Sequence, residues 1–211
     1  MAIALNIRAT GARDLLKSLN RFDSRIAQRA TQQALNRTIN NMAKAGKDEG
    51  AKFLGVAKSK ISKGARVDQN SKHGAIAIQG ARRGKAMRAL MFVRGKPFNL
   101  IRWTTTPTKG GVISNAWGSA KRYPDTAIIG GKFVAVLTKH KDKRGRAALR
   151  NKSAWGPGMT HAMEDPKIVA AILDEGDRKF VKHFASAAAF LLEREGYKSA
   201  AGNLRTARDA L

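Results

Sequence analysis

The segment from Asp165 to Gly196 constrains the fold more than any other part of the sequence. Asp165 followed by Pro166 is typical of a helix start, and Gly196 is typical of a residue that follows a helix end. Between them, apolar residues recur every three or four positions, as on one face of a helix. These residues are Ile168, Ile172, Phe180, Phe184, Ala187 and Leu191. We therefore predict a long amphipathic helix from Pro166, weakened or bent near Gly176, and a loose polar tail over residues 197–211.

A second long helix is predicted over residues 24–52, with Asp23 as its N-cap. Its apolar positions also recur every three or four residues, and alanine is prominent among them. Because small side chains allow close packing, we predict that this stripe contacts a neighbouring helix or a neighbouring subunit. The residues predicted for this interface are Ile26, Ala30 and Ala34.

The middle of the chain predicts short strands. Phe98–Thr104, Gly110–Trp117 and Lys132–Thr138 are each short, rich in β-branched or aromatic residues, and bounded by glycine or proline. Their connections are too short for helical crossovers, so we expect an antiparallel meander. Residues 2–8 are expected to form another short strand, and residues 11–19 a helical stretch. The predicted fold class is α+β, with a small antiparallel β-sheet flanked by an N-terminal long helix and a C-terminal helix.

Residues 58–96 are strongly basic, with eleven lysines and arginines against one acid, Asp68. Within this segment, Ala75–Gln79 and Ala89–Arg94 are typical of strands. A basic loop joins them, so we predict a basic, β-hairpin-like arm rather than a wall of the core. The arm is expected to belong to a single domain formed by residues 1–211.

The net charge of +26, from 41 basic against 15 acidic residues, favours a polyanionic partner. Contacts with backbone phosphates need only lysine and arginine and do not read the base sequence. The sequence contains no helix-turn-helix, zinc-finger or RNA-recognition signature, so it predicts nonspecific contact with DNA. Trp103, Trp117 and Trp155 could stack on bases, but their apolar surroundings favour packing in the core or in an interface.

No sequence pattern indicates an enzyme. The chain lacks cysteine, which excludes disulfides, zinc–thiolate sites and thiol catalysis. The four histidines do not have metal-ligand spacing, and the adjacent carboxylate pairs resemble helix caps more than an acid/base pair. The loop GARRGK at Gly80–Lys85 lacks the spacing and the following Ser or Thr of a phosphate-binding loop. We expect no catalysis, no cofactor, no metal and no membrane contact, and a protein made in a cytoplasm.

Three segments together carry a family resemblance. Gly95–Lys139 contains an LIRW strand, a TKGGV strand start and an AWGSAKRYP turn. Trp155–Met163 reads WGPGMTHAM, an aromatic-Gly-Pro corner before the last helix, and Gln32–Asn40 reads QQALNRTIN within an early helix. In these strings and in their order, the chain resembles the minor tail protein Z family, a group of tail-completion and neck proteins of long-tailed bacteriophages.

This resemblance implies a structural virion protein that completes the head-proximal end of a phage tail and takes part in head–tail joining. It implies a homo-oligomeric ring, for which we expect six copies, beside the tail terminator or tail tube protein and the head–tail connector proteins. Viral double-stranded DNA would pass through this ring. The expected location is the virion tail or neck, after assembly in the host cytoplasm. The alternative is a free, sequence-nonspecific, DNA-compacting protein, which would explain the charge but not the β-rich middle.

Two basic segments are the predicted DNA contacts within such a ring. They comprise Arg82, Arg83, Lys85 and Arg88 in the arm, and Lys141, Lys143, Arg144 and Arg146 in the loop before the last helix. The turn at Trp155–Gly158 is expected to set the angle at which the last helix leaves the sheet. Trp155 is expected to contact a neighbouring subunit.

Overall fold

The computed structural model describes residues 24–59, 76–79, 81, 88–93, 97–141 and 147–209. Several predictions lie outside these residues, namely the strand over 2–8, the helical stretch over 11–19, the cap at Asp23, and much of the basic arm. The fold class is as predicted, because the described chain is α+β, with long helices and small antiparallel sheets.

Two long helices run antiparallel along the molecule. Ile26, near the start of the first, lies in one apolar cluster with Leu192, near the end of the second. Gly46, near the end of the first, faces Ile172, near the start of the second. The helices of the described residues are α1 Ser24–Phe53, α2 Met159–Ala162, α3 Pro166–Arg194 and α4 Lys198–Asp209.

The start and end of α3 are as predicted. The Asp165 side chain accepts a hydrogen bond from the Lys167 amide at 2.8 Å, and Gly196 follows the helix with a φ of +90°. The helix is one continuous element through Gly176, where weakening or a bend was expected. A Cβ at Gly176 would lie 2.8 Å from Met42 Sδ, so the glycine allows α1 and α3 to approach closely.

The alanine stripe of α1 packs against α3 of the same chain. Ile26, Ala30 and Ala34 are buried in one cluster with Phe180 and Phe184. Of the two alternatives, a neighbouring helix or a neighbouring subunit, the helix therefore occupies this face. The three residues are part of the core of the chain.

The prediction of a loose tail after residue 197 is wrong for residues 198–209, which form α4. Ala201 is buried and Leu204 half-buried against the cluster between α1 and α3. The Tyr197 amide donates a hydrogen bond to the Leu192 carbonyl at 2.8 Å, which reverses the chain between the two helices. The segment looked like a tail because few of its residues are apolar, yet Ala200, Ala201 and Leu204 pack against the core.

The strands are short and form four antiparallel sheets among the described residues. The sheets are β1–β2, β3–β10, β4–β5–β6 and β7–β8–β9. The strands are β1 Ile76–Gln79, β2 Leu90–Val93, β3 Pro97–Asn99, β4 Thr105–Thr108, β5 Gly111–Ser114, β6 Lys121–Pro124, β7 Thr126–Ile129, β8 Phe133–Lys141, β9 Ala147–Ser153 and β10 Trp155–Gly158.

The predicted three-stranded meander is wrong, because its three segments contribute β3, β5 and β8 to three different sheets. The segment Phe98–Thr104 is not one strand, since β3 ends at Asn99 and a 3₁₀ turn follows over Leu100–Arg102. The Asn99 side chain accepts hydrogen bonds from the Ile101 amide at 3.1 Å and the Val134 amide at 2.8 Å. The Asn99 side chain thus accepts hydrogen bonds from backbone amides that would otherwise bond to a neighbouring strand.

The strands of the predicted arm pair as expected, since β1 and β2 form an antiparallel hairpin with Ile76 opposite Val93. The base of this hairpin is part of the core, however. Ile76, Met91 and Val93 are buried in the main apolar cluster. The sequence pattern hid this role because the segment is basic as a whole, although all its lysines and arginines lie outside the two strands.

Two apolar clusters stabilise the described chain. One lies between α1 and α3 and ends at α4, and the larger one joins α1, α2 and the start of α3 to the sheets. Of the helices described, none is both long enough and apolar enough to cross a membrane.

Candidate functional site

Trp103 connects three distant parts of the chain. Its side chain is buried, and its indole Nε1 donates a hydrogen bond to the Leu54 carbonyl at 2.6 Å. A Cβ at Gly156 would lie 2.9 Å from the Trp103 ring and 3.1 Å from the Ala116 Cβ. The end of α1, the turn after β5 and strand β10 therefore meet at one buried tryptophan. Trp103 belongs to the core, as the sequence favoured.

The WGPG segment is strand β10, which pairs with β3, rather than a turn alone. Trp155 pairs with Asn99 and Gly158 with Pro97, and the register shifts between the two pairs. The short helix α2 follows directly, and α3 begins at Pro166. The segment thus fixes the path of the chain into α3 through its pairing with β3, and it needs glycine at position 156 because the Trp103 ring lies against it.

The end of α1 forms one wall of a surface groove. The Val56 amide bonds to the Ala51 carbonyl at 3.0 Å and the Gly55 amide to the Lys52 carbonyl at 3.1 Å, with a φ of +62° at Gly55. This is the Schellman pattern that ends many helices at a glycine. It leaves Phe53 at the surface.

The groove has a volume of about 420 Å³ and lies above the Trp103 junction. His161 of α2 stands between two exposed rings, with its ring centre 6.1 Å from that of Phe53 and 5.5 Å from that of Trp117. The exposed fractions are 47% for Phe53 and 53% for Trp117. Trp155 is 55% exposed but is not among the residues that line the groove. We call Phe53, Trp117 and His161 the aromatic patch.

Three ion pairs lie around the end of α1 and α2. A hydrogen bond to Glu49, with its charge, raises the pKa of the Lys52 ammonium above its ordinary value. Apart from His161, the groups in these three ion pairs are two lysines and three carboxylates, whereas basic residues exceed acidic ones 41 to 15 in the whole chain. The pairs are Lys52 with Glu49 at 2.6 Å, Lys58 with Asp48 at 2.9 Å, and His161 Nδ1 with Glu164 at 3.1 Å.

Sequence reasoning missed Phe53 and His161 as surface residues of one site. The glycine two positions after Phe53 marks the helix end, but it does not predict that the Phe53 side chain is exposed, since Leu54 and Val56 beside it are buried. Nothing in the sequence places His161 between Phe53 and Trp117, because that neighbourhood depends on how β10 directs the chain.

The predicted DNA contacts are described only in part. Arg88 is exposed just before β2, and Lys141 is the last residue of β8, paired with Ala147 of β9. The other six predicted contacts lie outside the described residues, namely Arg82, Arg83, Lys85, Lys143, Arg144 and Arg146.

Polar side chains of α1 hold the start of the arm loop. Asn36 Oδ1 accepts a hydrogen bond from the Ala81 amide at 2.7 Å. Gln32 Nε2 donates to the Ala81 carbonyl at 3.1 Å, and Asn36 Nδ2 lies 3.5 Å from the same oxygen. Ala81 is buried and directly precedes Arg82. Sequence reasoning did not assign Gln32 and Asn36 this role, because the contact spans 45 residues or more.

Further basic side chains lie exposed on the sheet region, and the sequence analysis did not single them out. A Cβ at Gly110 would meet the Arg122 guanidinium, which therefore lies over the β4–β5 turn. Strand ends and turns carry the rest, and their lysines lack the clustering that drew attention to the longer basic runs. These residues are Lys109, Lys121, Arg122, Lys132 and Lys152.

Other chemistry is sparse in this part of the molecule. Among the described residues, no three histidine or carboxylate side chains lie close enough together to hold a metal ion. Burial lowers the pKa of the Arg102 guanidinium, which lies 5.0 Å from the centre of the Phe98 ring.

No protein-family model, no curated protein and no solved structure matches this chain. The structural class of this protein rests on the described residues, which form an α+β fold with an exposed aromatic patch. The resemblance to the minor tail protein Z family remains a prediction from the three quoted segments.

Proposed function

We propose that this chain is a structural virion protein that completes the head-proximal end of a phage tail and takes part in head–tail joining. In the assembled ring it contacts the DNA end without reading its sequence, and it has no catalytic role. The observation that carries the proposal is the ordered series of segments that resemble the minor tail protein Z family, Gln32–Asn40, Gly95–Lys139 and Trp155–Met163.

The packing of these segments supports the proposal. Trp103 of the second segment lies against Gly156 of the third, and Ile39 of the first lies in one apolar cluster with Trp103 and with Met159 of the third. If the three segments resemble the family because they form the same fold, they are expected to contact one another in the structure. Three segments that resemble the family by chance are not expected to do so.

The charge supports the DNA contact. Each copy brings a formal +26, and a ring would collect this charge around a channel. Because electrostatic forces decay over about 8 Å at physiological ionic strength, only side chains facing the channel would contribute. Phosphate contacts by lysine and arginine would hold any DNA sequence equally well.

The test is to examine phage particles assembled with and without this gene product by negative-stain microscopy. The proposal predicts that particles lacking the protein contain separate heads and tails, and that supplying the wild-type protein restores joining. A matched complementation with Gly156→Trp, which fills the space beside Trp103, is predicted to fail. Normal joining and DNA delivery in the absence of the protein would contradict the proposal.

The net charge also favours a second candidate, a free DNA-compacting protein. Sedimentation of purified particles distinguishes the two. A tail protein sediments with intact particles after nuclease treatment and a high-salt wash, whereas a DNA-compacting protein is released by them.

A further inference from the structure

We propose that the aromatic patch, formed by Phe53, Trp117 and His161, is a contact surface between copies of this chain. The proposal adds the location and chemistry of a subunit contact to the proposed function, and it rests on that function only for the expectation that copies assemble. Its own evidence is the exposure of the patch, the groove within it and the charges around it.

The aromatic patch exposes large aromatic side chains of a kind that folding usually buries. Phe53 of α1 and Trp117 of the β5–β6 turn are each about half exposed, and β10 leads into α2, which carries His161 between the two rings. Contiguous exposed apolar surface is typical of interaction sites, and tryptophan is enriched among the residues that dominate binding energy. The Trp103 junction beneath holds these three elements in place. The surface is therefore pre-formed, which reduces the entropy lost on association.

The local charge identifies a second copy as the occupant. Two chains of +26 repel each other over most of their surface. Around the patch, however, Glu49, Asp48 and Glu164 pair with Lys52, Lys58 and His161, so three carboxylates offset part of the local positive charge. Another copy therefore meets less repulsion at the patch than its net charge alone implies, and its basic surfaces meet carboxylates at the rim.

The same charges argue against a nucleic acid in the groove. Aromatic rings can stack on bases, but sites of that kind combine the rings with cationic side chains that follow the phosphates. Here Lys52 is engaged with Glu49, and Lys58 with Asp48. The groove thus offers aromatic surface without an excess of cations.

The experiment is sedimentation velocity of the purified, nuclease-treated full chain over a range of concentrations at low and high salt. We expect association that increases with salt, because salt screens the repulsion between basic copies. Trp117→Ala and Phe53→Ala should each weaken the association at least about tenfold. Phe190→Ala is the matched control and should leave the association unchanged. Phe190 is 58% exposed on α3. It lies about 27 Å along the helix from Ile172, the α3 residue that faces the last turns of α1.

Three outcomes would overturn the inference. One is a chain that is monomeric at every concentration and salt, and another is association that neither Trp117→Ala nor Phe53→Ala weakens while each variant stays folded by circular dichroism. The third is quenching of the tryptophan fluorescence by a single-stranded oligonucleotide that Trp117→Ala abolishes, which would assign the groove to nucleobases. The virion experiment would still test the proposed function in each case, so the two failures are distinguishable.

Discussion

Gly156 lies where an added methyl group would meet rigid neighbours on two sides. A Cβ there would be 2.9 Å from the Trp103 ring and 3.1 Å from the Ala116 Cβ. The ring cannot move away easily, because it is buried and its Nε1 is bonded to the Leu54 carbonyl. The tolerance of this position for a side chain therefore measures how tightly the junction is packed.

We predict that Gly156→Ala lowers the free energy of unfolding by about 1–3 kcal/mol, as overpacking of a core does. The matched control is Gly202→Ala in α4, where a Cβ meets no atom within 4 Å. That change should raise the stability by about 0.5–1 kcal/mol, because alanine favours a helix over glycine. Urea unfolding followed by circular dichroism measures both. Equal effects of the two substitutions would show that the junction is loose.

His183 of α3 makes the stability depend on pH. Its ring nitrogen lies 2.8 Å from Asn41 Nδ2 on α1. Burial, then the charges of Arg37 and Lys179, lower the pKa of His183 below its ordinary value of 6.5, and Glu175 opposes them. The folded chain therefore binds this proton more weakly than the unfolded chain does. Stability from this source is fully present above pH 6.5 and is lost as the pH falls below it.

We predict that the melting temperature of the wild-type chain falls more steeply below pH 6.5 than that of His183→Gln. Glutamine retains a polar partner for Asn41 but does not titrate. Thermal melts over this pH range at constant ionic strength measure the difference. Parallel pH profiles for the two proteins would mean that His183 does not contribute.

The hairpin of β1 and β2 is held to α1 at Ala81, which directly precedes the predicted arm residues Arg82 and Arg83. We predict that Asn36→Ala, which removes the partner of the Ala81 amide, accelerates trypsin cleavage after Arg82 and Arg83. The unpaired amide should also lower the free energy of unfolding by about 1–3 kcal/mol.

Asn40→Ala is the matched control, because the Asn40 side chain is exposed and bonds only to the Asn36 carbonyl of its own helix in the contacts described. Mass spectrometry of the tryptic fragments over time compares the variants. Cleavage at the same rate in Asn36→Ala and Asn40→Ala would show that the clamp does not restrain the loop.

The sequence was sufficient for elements whose signals are local. The cap at Asp165, the period of α3 and the helix stop at Gly196 each depend on residues within one or two turns, and all are present. The extent of α1 was also predicted within one residue at its end, because its apolar stripe is long.

The sequence was insufficient where distant residues decide the structure. A strand was predicted through Leu100, but the Asn99 side chain bonds to Val134, 35 residues away, and a 3₁₀ turn forms. Strands β4, β6, β7, β9 and β10 were not predicted, because each is short and gains its stability from a partner strand. The aromatic patch could not be predicted for the same reason, since three elements meet there only through Trp103.

The charge of the chain gives the proposed DNA contact a measurable signature. We predict that replacing Arg82, Arg83, Lys85 and Arg88 with alanine weakens the binding of duplex DNA of any sequence. The slope of log K against log salt should fall by about 0.9 for each lost phosphate contact. Fluorescence anisotropy of a labelled duplex across a salt series measures it.

A charge-matched control separates position from net charge. Replacing Lys167, Lys182, Arg194 and Lys198 removes four charges from α3 and α4, away from both predicted contact segments in sequence. The control should change the slope much less. Equal slopes for the two quadruple variants would mean that DNA contacts the whole basic surface, and not the arm.

The most direct test of the proposed function is a density map of the intact junction between phage head and tail. The account predicts a ring of copies of this chain at the head-proximal end of the tail, with the arm and the loop around Lys141–Arg146 facing DNA in the channel. Neighbouring copies should meet at the aromatic patch. A junction without this chain, or a ring whose basic segments face outward away from DNA, would contradict it.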